Sequence, residues 1–274
     1  MRFFLCLLML FPGLALAQVN VEKLRSNGTE NGVAGSLGIT AAYTQGNILF
    51  ADFGTSAHLE WKEGKNSVFG IINHRFAAKR TQSDLIAEPS VGLWDEEAHF
   101  SNNRLLHLRY NRSLGARWWW EVFTQYEYNE FLLLDRRLLA GTGPRITLMD
   151  GEALGAWFGV AAMVEEESLN PERIAPSEEA SRVNLRASSY LSATWHISKA
   201  ASWTTTAYWQ PRLKALEDYR LAIETGLKVP FSKSVAFTVD ARYRSDSEPP
   251  QTPDGSAPVM PSDLTVKNGI KLSF

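Results

Sequence analysis

The chain has 274 residues, with 28 Lys and Arg against 30 Asp and Glu, a formal net charge of −2 and a mean hydropathy of −0.20. A near-neutral chain without a basic run offers nothing to nucleic acid, and a slightly polar average excludes a bundle of membrane helices. The single cysteine, Cys6, excludes a disulfide framework and a cysteine-based metal site. Residues 1–17 read as a cleaved signal peptide: Arg2 is the positive start, FFLCLLMLFPGLAL is the apolar stretch, and Ala15-Leu16-Ala17 is the small-x-small cleavage site. Cys6 lies inside this segment and far from the cleavage point, so it is not a lipidation site. Residues 18–31, QVNVEKLRSNGTEN, form a periplasmic N-terminal segment. Two readings of it stand open: a tail, or a piece folding back into the mouth of the fold with Val19, Val21 and Leu24 as anchors.

From Gly32 onward the sequence predicts about twelve strands. Their spans are 33–44, 48–62, 67–80, 104–114, 117–131, 136–148, 153–165, 182–198, 202–214, 217–231, 234–245 and 263–274. Each is long enough to cross a bilayer, since a tilted strand needs only about 9–11 residues where a helix needs about 20. The longest apolar run after the signal, ALGAWFGVAAMV (153–164), has strand length and is bracketed by Asp150-Gly151-Glu152 and Glu165-Glu166-Glu167. The connections alternate. Glu63-Gly64-Lys65-Asn66, Gly115-Ala116, Asp150-Gly151-Glu152, Lys199-Ala200-Ala201 and Ser232-Lys233 are tight. The long ones, 81–103, 166–181 and 246–262, fall on the opposite side. Short periplasmic turns facing long extracellular loops, with an even strand number, are the habit of a bacterial outer-membrane barrel. The proline-rich 246–262 loop, with Pro249, Pro250, Pro253, Pro258 and Pro261, reads as extended, exposed and mobile.

Period-two alternation is clean in most strands. In the eleventh, Val235, Phe237, Val239, Ala241 and Tyr243 oppose Ala236, Thr238, Asp240, Arg242 and Arg244. The last strand, LTVKNGIKLSF, sets Leu264, Val266, Ile270, Leu272 and Phe274 on its apolar face. The third and sixth strands alternate poorly and give no facing. A soluble half-buried sheet alternates in the same way, but it does not sort aromatics by strand end. Here Trp61, Trp118, Trp120, Trp195, Trp203, Phe231 and Phe274 fall beside short turns, and Tyr43, Tyr126, Tyr128, Trp209, Tyr219 and Tyr243 fall toward the other end. Two such girdles mark two membrane interfaces. The fold class is therefore an all-β transmembrane antiparallel up-and-down β-barrel over residues 32–274, placed in the bacterial outer membrane.

The opening VNVEKLR, the strand and turn GSLGITAAYTQGN, and a barrel ending in Phe together resemble the outer-membrane β-barrel family named after a salt-induced outer-membrane protein. The resemblance runs from about Gln18 to Phe274. It implies fold, location and an osmotic or salt-responsive setting, and it supplies no catalytic residues to carry over.

No convincing catalytic constellation is present. His196 and Ser198 share a strand face, a spacing similar to that of the outer-membrane phospholipase, but they lie beside a short turn and point into the lumen. His58, His74, His99 and His107 lack metal-ligand spacing, and Gly141-Thr142-Gly143-Pro144 is a strand bend rather than a phosphate loop. The Asp95-Glu96-Glu97 run beside His99 suits a solvated loop face or a divalent-ion bridge to lipopolysaccharide. The lumen carries the better clue. Inward charges are Asp52, Glu60, Arg109, Glu121, Glu127, Arg186, Arg212, Arg220, Glu224, Lys228, Asp240, Arg242, Arg244, Lys267 and Lys271. The lumen-lining candidates singled out are Glu121, Glu127, Arg186, Arg220, Glu224, Asp240, Arg242 and Arg244. Such charges either cross-link into a plug or line a narrow hydrated channel. The cations of the last three strands, facing carboxylates of the first, second and fifth, suggest a positive and a negative wall. The sequence thus points to a small channel or envelope-integrity barrel, with a lipid hydrolase or a surface receptor as alternatives. No cofactor is implied. The partners implied are outer-membrane lipid and lipopolysaccharide, periplasmic chaperones, and the barrel-assembly machinery, which reads the terminal strand with Phe274 as its signal. A monomer is the default.

Overall fold

The computed structural model describes residues 31–45, 48–95, 98–198, 201–253 and 259–273. Its sheet closes on itself in the order β1-β12-β11-β10-β9-β8-β7-β6-β5-β4-β3-β2, where β1 is Gly32–Thr44, β2 Ile48–Glu63, β3 Asn66–Thr81, β4 His99–Ser113, β5 Trp118–Asn129, β6 Leu134–Asp150, β7 Leu154–Leu169, β8 Ser181–His196, β9 Ser202–Arg212, β10 Ala215–Pro230, β11 Val235–Asp246 and β12 Ser262–Ser273. All pairs are antiparallel. The signal segment, residues 18–30 and Phe274 lie outside the described residues.

The strands run from 11 residues in β9 to 17 in β6, enough to cross hydrocarbon at a tilt. Their side chains are sorted in the reverse of a soluble protein. Arg109, His107, Gln125, Glu127 and Thr206 are buried, whereas Val33, Ile39, Leu59, Leu106, Val160, Leu191 and Ile270 stand exposed. Trp61, Trp118, Trp120, Trp195, Trp203 and Phe231 ring the short-turn end of the exterior, and Tyr43, Trp209, Tyr219 and Tyr243 ring the other. Several hydroxyls on the outer face are satisfied within the wall: Thr124 donates to Leu139 O, Thr142 to Glu121 O and Ser189 to Trp209 O, and Thr205 and Thr225 share a bond. Only hydrocarbon rewards an apolar exterior around a closed ladder with a polar interior. The protein is an outer-membrane β-barrel.

The strands that gave no facing owe it to an apolar patch inside the barrel. Phe69 and Ile71 of β3 face the lumen beside Arg75, and Leu139 of β6 packs there with Phe123 and Met163. Two boundaries move. β4 begins at His99, and β7 runs to Leu169, which carries Glu167 into the wall beside Glu165 rather than into a loop. The 81–103 connection holds a short helix, α1 (Gln82–Ala87), capped by Thr81. Arg80 donates to the carbonyls of Val91, Asp84 and Glu88 and so pins this segment. Trp94 packs on Phe53 and Phe76 outside the barrel.

Most described residues of the 246–262 loop are exposed or half-buried, as the sequence suggests, but Val259 anchors it. Val259 is buried against Leu132, Leu133, Leu134, Leu169 and Ile174, and Gln251 O accepts from Ala175 N at 2.7 Å. Three connections thus meet in an apolar cap over the long-loop end. Leu133 adopts a left-handed φ of 58°, tolerated because its side chain is buried in that cap.

Candidate functional site

The lumen divides into three parts. Under the cap lies a network of buried ion pairs. Arg137 reaches Glu167 at 2.5 Å and Glu127 at 3.3 Å. Arg220 crosses from β10 to β7, meeting Glu165 at 2.6 Å and Glu167 at 2.7 Å, and also binds Asp246 at 2.9 Å. Arg186 joins Glu165 at 3.1 Å to Asp218 at 2.9 Å, and Arg182 completes Glu167 at 2.7 Å. A small cleft touches both network and cap, with Leu132, Leu169 and Val259 on one side and Arg137, Glu167 and Arg220 on the other. The cap thus covers the ion pairs at the mouth, where attraction between charges strengthens as water is excluded. Removing one partner of a buried pair costs about 3–5 kcal/mol because it leaves the other charge alone.

Below the network, the β4–β9 wall is filled. Tyr190 donates to Glu121 at 2.8 Å and packs against Tyr208, with ring centres 5.4 Å apart and planes tilted by 40°. Arg109 lies over Phe123 and Tyr190, 5.2 and 6.0 Å from their ring centres, and pairs with Glu121 at 3.4 Å. His107 shares a hydrogen bond with Gln125 at 3.2 Å, and Arg145 lies over Trp157. Glycines admit these rings. A Cβ on Gly141 would stand 2.4 Å from Phe123 Cζ, and one on Gly159 would stand 2.3 Å from Tyr190 Cε1.

The opposite side, formed by β10–β12 and β1–β3, holds a cavity of about 340 Å³. This is near the lower end of the range for small-molecule sites, about 300–1,000 Å³. Its lining is built from Gly38, Gly54, Gly226 and Gly269, from Ser and Thr, and from charges. Arg75, Lys228, Arg242, Lys267 and Lys271 contribute five positive groups against Glu224 and Asp240. Arg75 is held by Asp52, and Arg242 by Glu224 at 3.0 Å. Lys267 sits opposite Asp240 across the β11–β12 pair.

Each candidate from the sequence has a place in this scheme. Glu121 belongs to the filled wall. Glu127, Arg186 and Arg220 belong to the network. Glu224, Asp240 and Arg242 line the cavity, and Arg244 is paired with Asp263 at 3.1 Å. The expected division into a positive and a negative wall is corrected. Asp52, Glu121 and Glu127 are neutralised locally by Arg75, Arg109 and Arg137, and Asp246 and Asp263 answer Arg220 and Arg244. The cation excess survives only around the cavity. Sequence reasoning missed Arg75, Arg137, Arg145, Glu165, Glu167, Asp218, Asp246 and Asp263. The i, i+2 pairs Glu165/Glu167, Asp218/Arg220 and Arg244/Asp246 were the available signal, since such residues share a strand face.

Ser198 lies in the turn after β8, where its hydroxyl accepts from Ala201 N at 3.0 Å. His58 stacks on Phe69 inside the barrel, and His74 is exposed on the outer face. Asp95 accepts from Gly92 N, while Glu96 and Glu97 lie outside the described residues. Among the described residues no group of three or more His, Cys, Asp or Glu is placed to hold a metal ion.

Solved structures with a related outline include the NanC porin, at 8% identity and a TM-score of 0.45 over 88% of this chain and 97% of that one. The translocator domain of the autotransporter NalP from Neisseria meningitidis shares 11% identity, with a TM-score of 0.47 over 92% of this chain and 91% of the other. An anion-selective porin from Comamonas acidovorans shares 9%, with a TM-score of 0.39 over 89% and 99%. These likenesses are too distant to transfer a role. No curated protein matches the sequence. The family described as "Protein of unknown function, DUF481" matches residues 36–255, most of the barrel, and the chain belongs to that family.

Proposed function

We propose that the protein is a monomeric small-channel or envelope-integrity barrel, without catalysis, whose lumen is closed toward the long loops and open as an anion-attracting cavity toward the short turns. The observation that carries this reading is Arg220, which reaches through the lumen from β10 to Glu165 and Glu167 of β7 beneath an apolar cap. A steadily open pore has no use for a covered ion-pair network across its mouth. The five cations around the cavity favour an anionic occupant.

Planar-bilayer recording tests this. The wild-type protein is expected to show no steady conductance. Glu165→Gln with Glu167→Gln, which dissolves the centre of the network, is expected to give anion-selective steps. Steady wild-type conductance, or a variant that stays closed, would count against the network as the closure.

A further inference from the structure

The β1–β12 seam bears on what the cavity takes. These strands pair only from Ser36↔Ser273 to Ile39↔Ile270. Thr40–Tyr43 continue in register with β2, and Val266–Gly269 with β11, but no ladder joins the two edges there. Ala42 and Thr44, which face the lumen by alternation, are exposed. The cavity reaches this gap, because Gly38, Thr40, Asn268 and Gly269 line it. Gly269 presents no side chain, and the nearest atom to its Cβ position is Thr40 Cγ2 at 3.3 Å.

Two polar groups flank the opening. Lys267 faces inward, and the charges of Arg75, Arg242, Asp52 and Asp240 act on it. Asn268 faces outward between Val266 and Ile270, and its carboxamide has no hydrogen-bond partner among the described residues. An unsatisfied amide against hydrocarbon is costly. Its cost falls where a polar head group passes.

We propose that the upper β1–β12 seam is a lateral portal through which an anionic amphiphile, a carboxylate or phosphate head on an acyl chain, moves between the bilayer and the cavity. This rests on the closed-mouth reading above. A water-soluble anion has no need of a side opening, whereas an acyl chain does. The excess of positive charge in the cavity selects the head group. The chain remains along Ile39, Tyr43, Val266 and Ile270, whose side chains already face lipid.

The test uses the full chain in phosphatidylcholine vesicles with spin-labelled stearic acid, and its neutral methyl ester as comparator. The acid is expected to show an immobilised fraction and the ester none. Lys267→Met should weaken retention of the acid about tenfold, the size of one charge-assisted contact. Gly269→Leu, which fills the gap, should abolish it. So should an oxidised Ala41→Cys/Asn268→Cys pair, with recovery on reduction. A water-borne anionic thiol reagent should still label Gly226→Cys when the gap is filled. Retention unchanged by both blocks, equal retention of the ester, or cross-links between two chains through the paired cysteines would overturn the portal. Failure of the reagent to reach Gly226→Cys with the seam intact would instead overturn the open cavity on which the portal depends.

Discussion

The two sides of the lumen use the same residue types to opposite ends. On the β4–β9 side, Gly141 and Gly159 are the floor on which Phe123 and Tyr190 lie, and Gly143 brings β6 against β7 so closely that a Cβ would stand 2.0 Å from Val160 O. On the β10–β12 and β1–β3 side, glycines lie against small hydroxyl side chains rather than rings: a Cβ on Gly38 would stand 2.4 Å from Ser56 Oγ, one on Gly54 2.4 Å from Thr40 Oγ1, and one on Gly269 3.3 Å from Thr40 Cγ2. Charges divide in the same way. Each carboxylate of the network has a guanidinium partner; around the cavity Arg75 and Arg242 are likewise paired, with Asp52 and Glu224, and lysines carry the surplus of positive groups. One half of the lumen is therefore filled and cross-linked, and the other holds a cavity. A closed sheet permits this because the exterior ladder holds the fold whether or not the interior is filled.

The sharpest way to break this contrast is Arg220→Ala, which strands Asp246 and takes one of several guanidinium partners from Glu165 and Glu167. It should cost about 3–5 kcal/mol in urea unfolding from vesicles, whereas Lys228→Met on the open side should change stability by less than about 0.5 kcal/mol. Equal losses would erase the distinction. Next comes Gly143→Ala, which should cost about 3 kcal/mol by forcing β6 from β7 and should reduce the heat-modifiable folded band on gels. Gly269→Ala should leave that band unchanged. Tyr190→Phe keeps the ring and deletes the donor to Glu121, for an expected loss of about 1.5–2 kcal/mol in the same unfolding experiment.

The smallest effect concerns α1, outside the bilayer. The Thr81 hydroxyl and backbone N–H both donate to the Asp84 carboxylate at 2.7 Å, and together hold its pKa below the ordinary value. A lowered folded pKa means that this stabilisation is complete above the ordinary aspartate range and is lost as pH falls through the folded value. Protection factors in 81–88, taken relative to the intrinsic exchange rate at each pH, should therefore fall at acid pH while those of the barrel strands do not. Asp84→Asn should show the lowered protection at neutral pH and no further fall on acidification.

Much of this was legible in the sequence. Alternation in β10, β11 and β12 and the aromatic sorting by strand end gave the strand number, the facing and the solvent. What escaped notice lay where the lumen is apolar or where charge suggested a loop. Phe69, Ile71 and Leu139 blurred the period of β3 and β6, so that Arg75, Arg137 and Arg145 were overlooked. Glu166-Glu167 read as the start of a loop and Glu165 as a strand end, although Glu165 and Glu167 point inward. The prolines of the last long connection suggested a loose segment and concealed Val259 as part of the cap.

The amino-acid order by itself determined which atoms face lipid, because strand alternation is a local property of the backbone and each residue's face follows from its neighbours two places away. Which guanidinium meets which carboxylate, where the lumen is filled and where it is hollow, and how far β1 and β12 zip together were decided only on closure. Those outcomes depend on the stagger accumulated around twelve strands, a sum of registers that no single stretch of sequence contains.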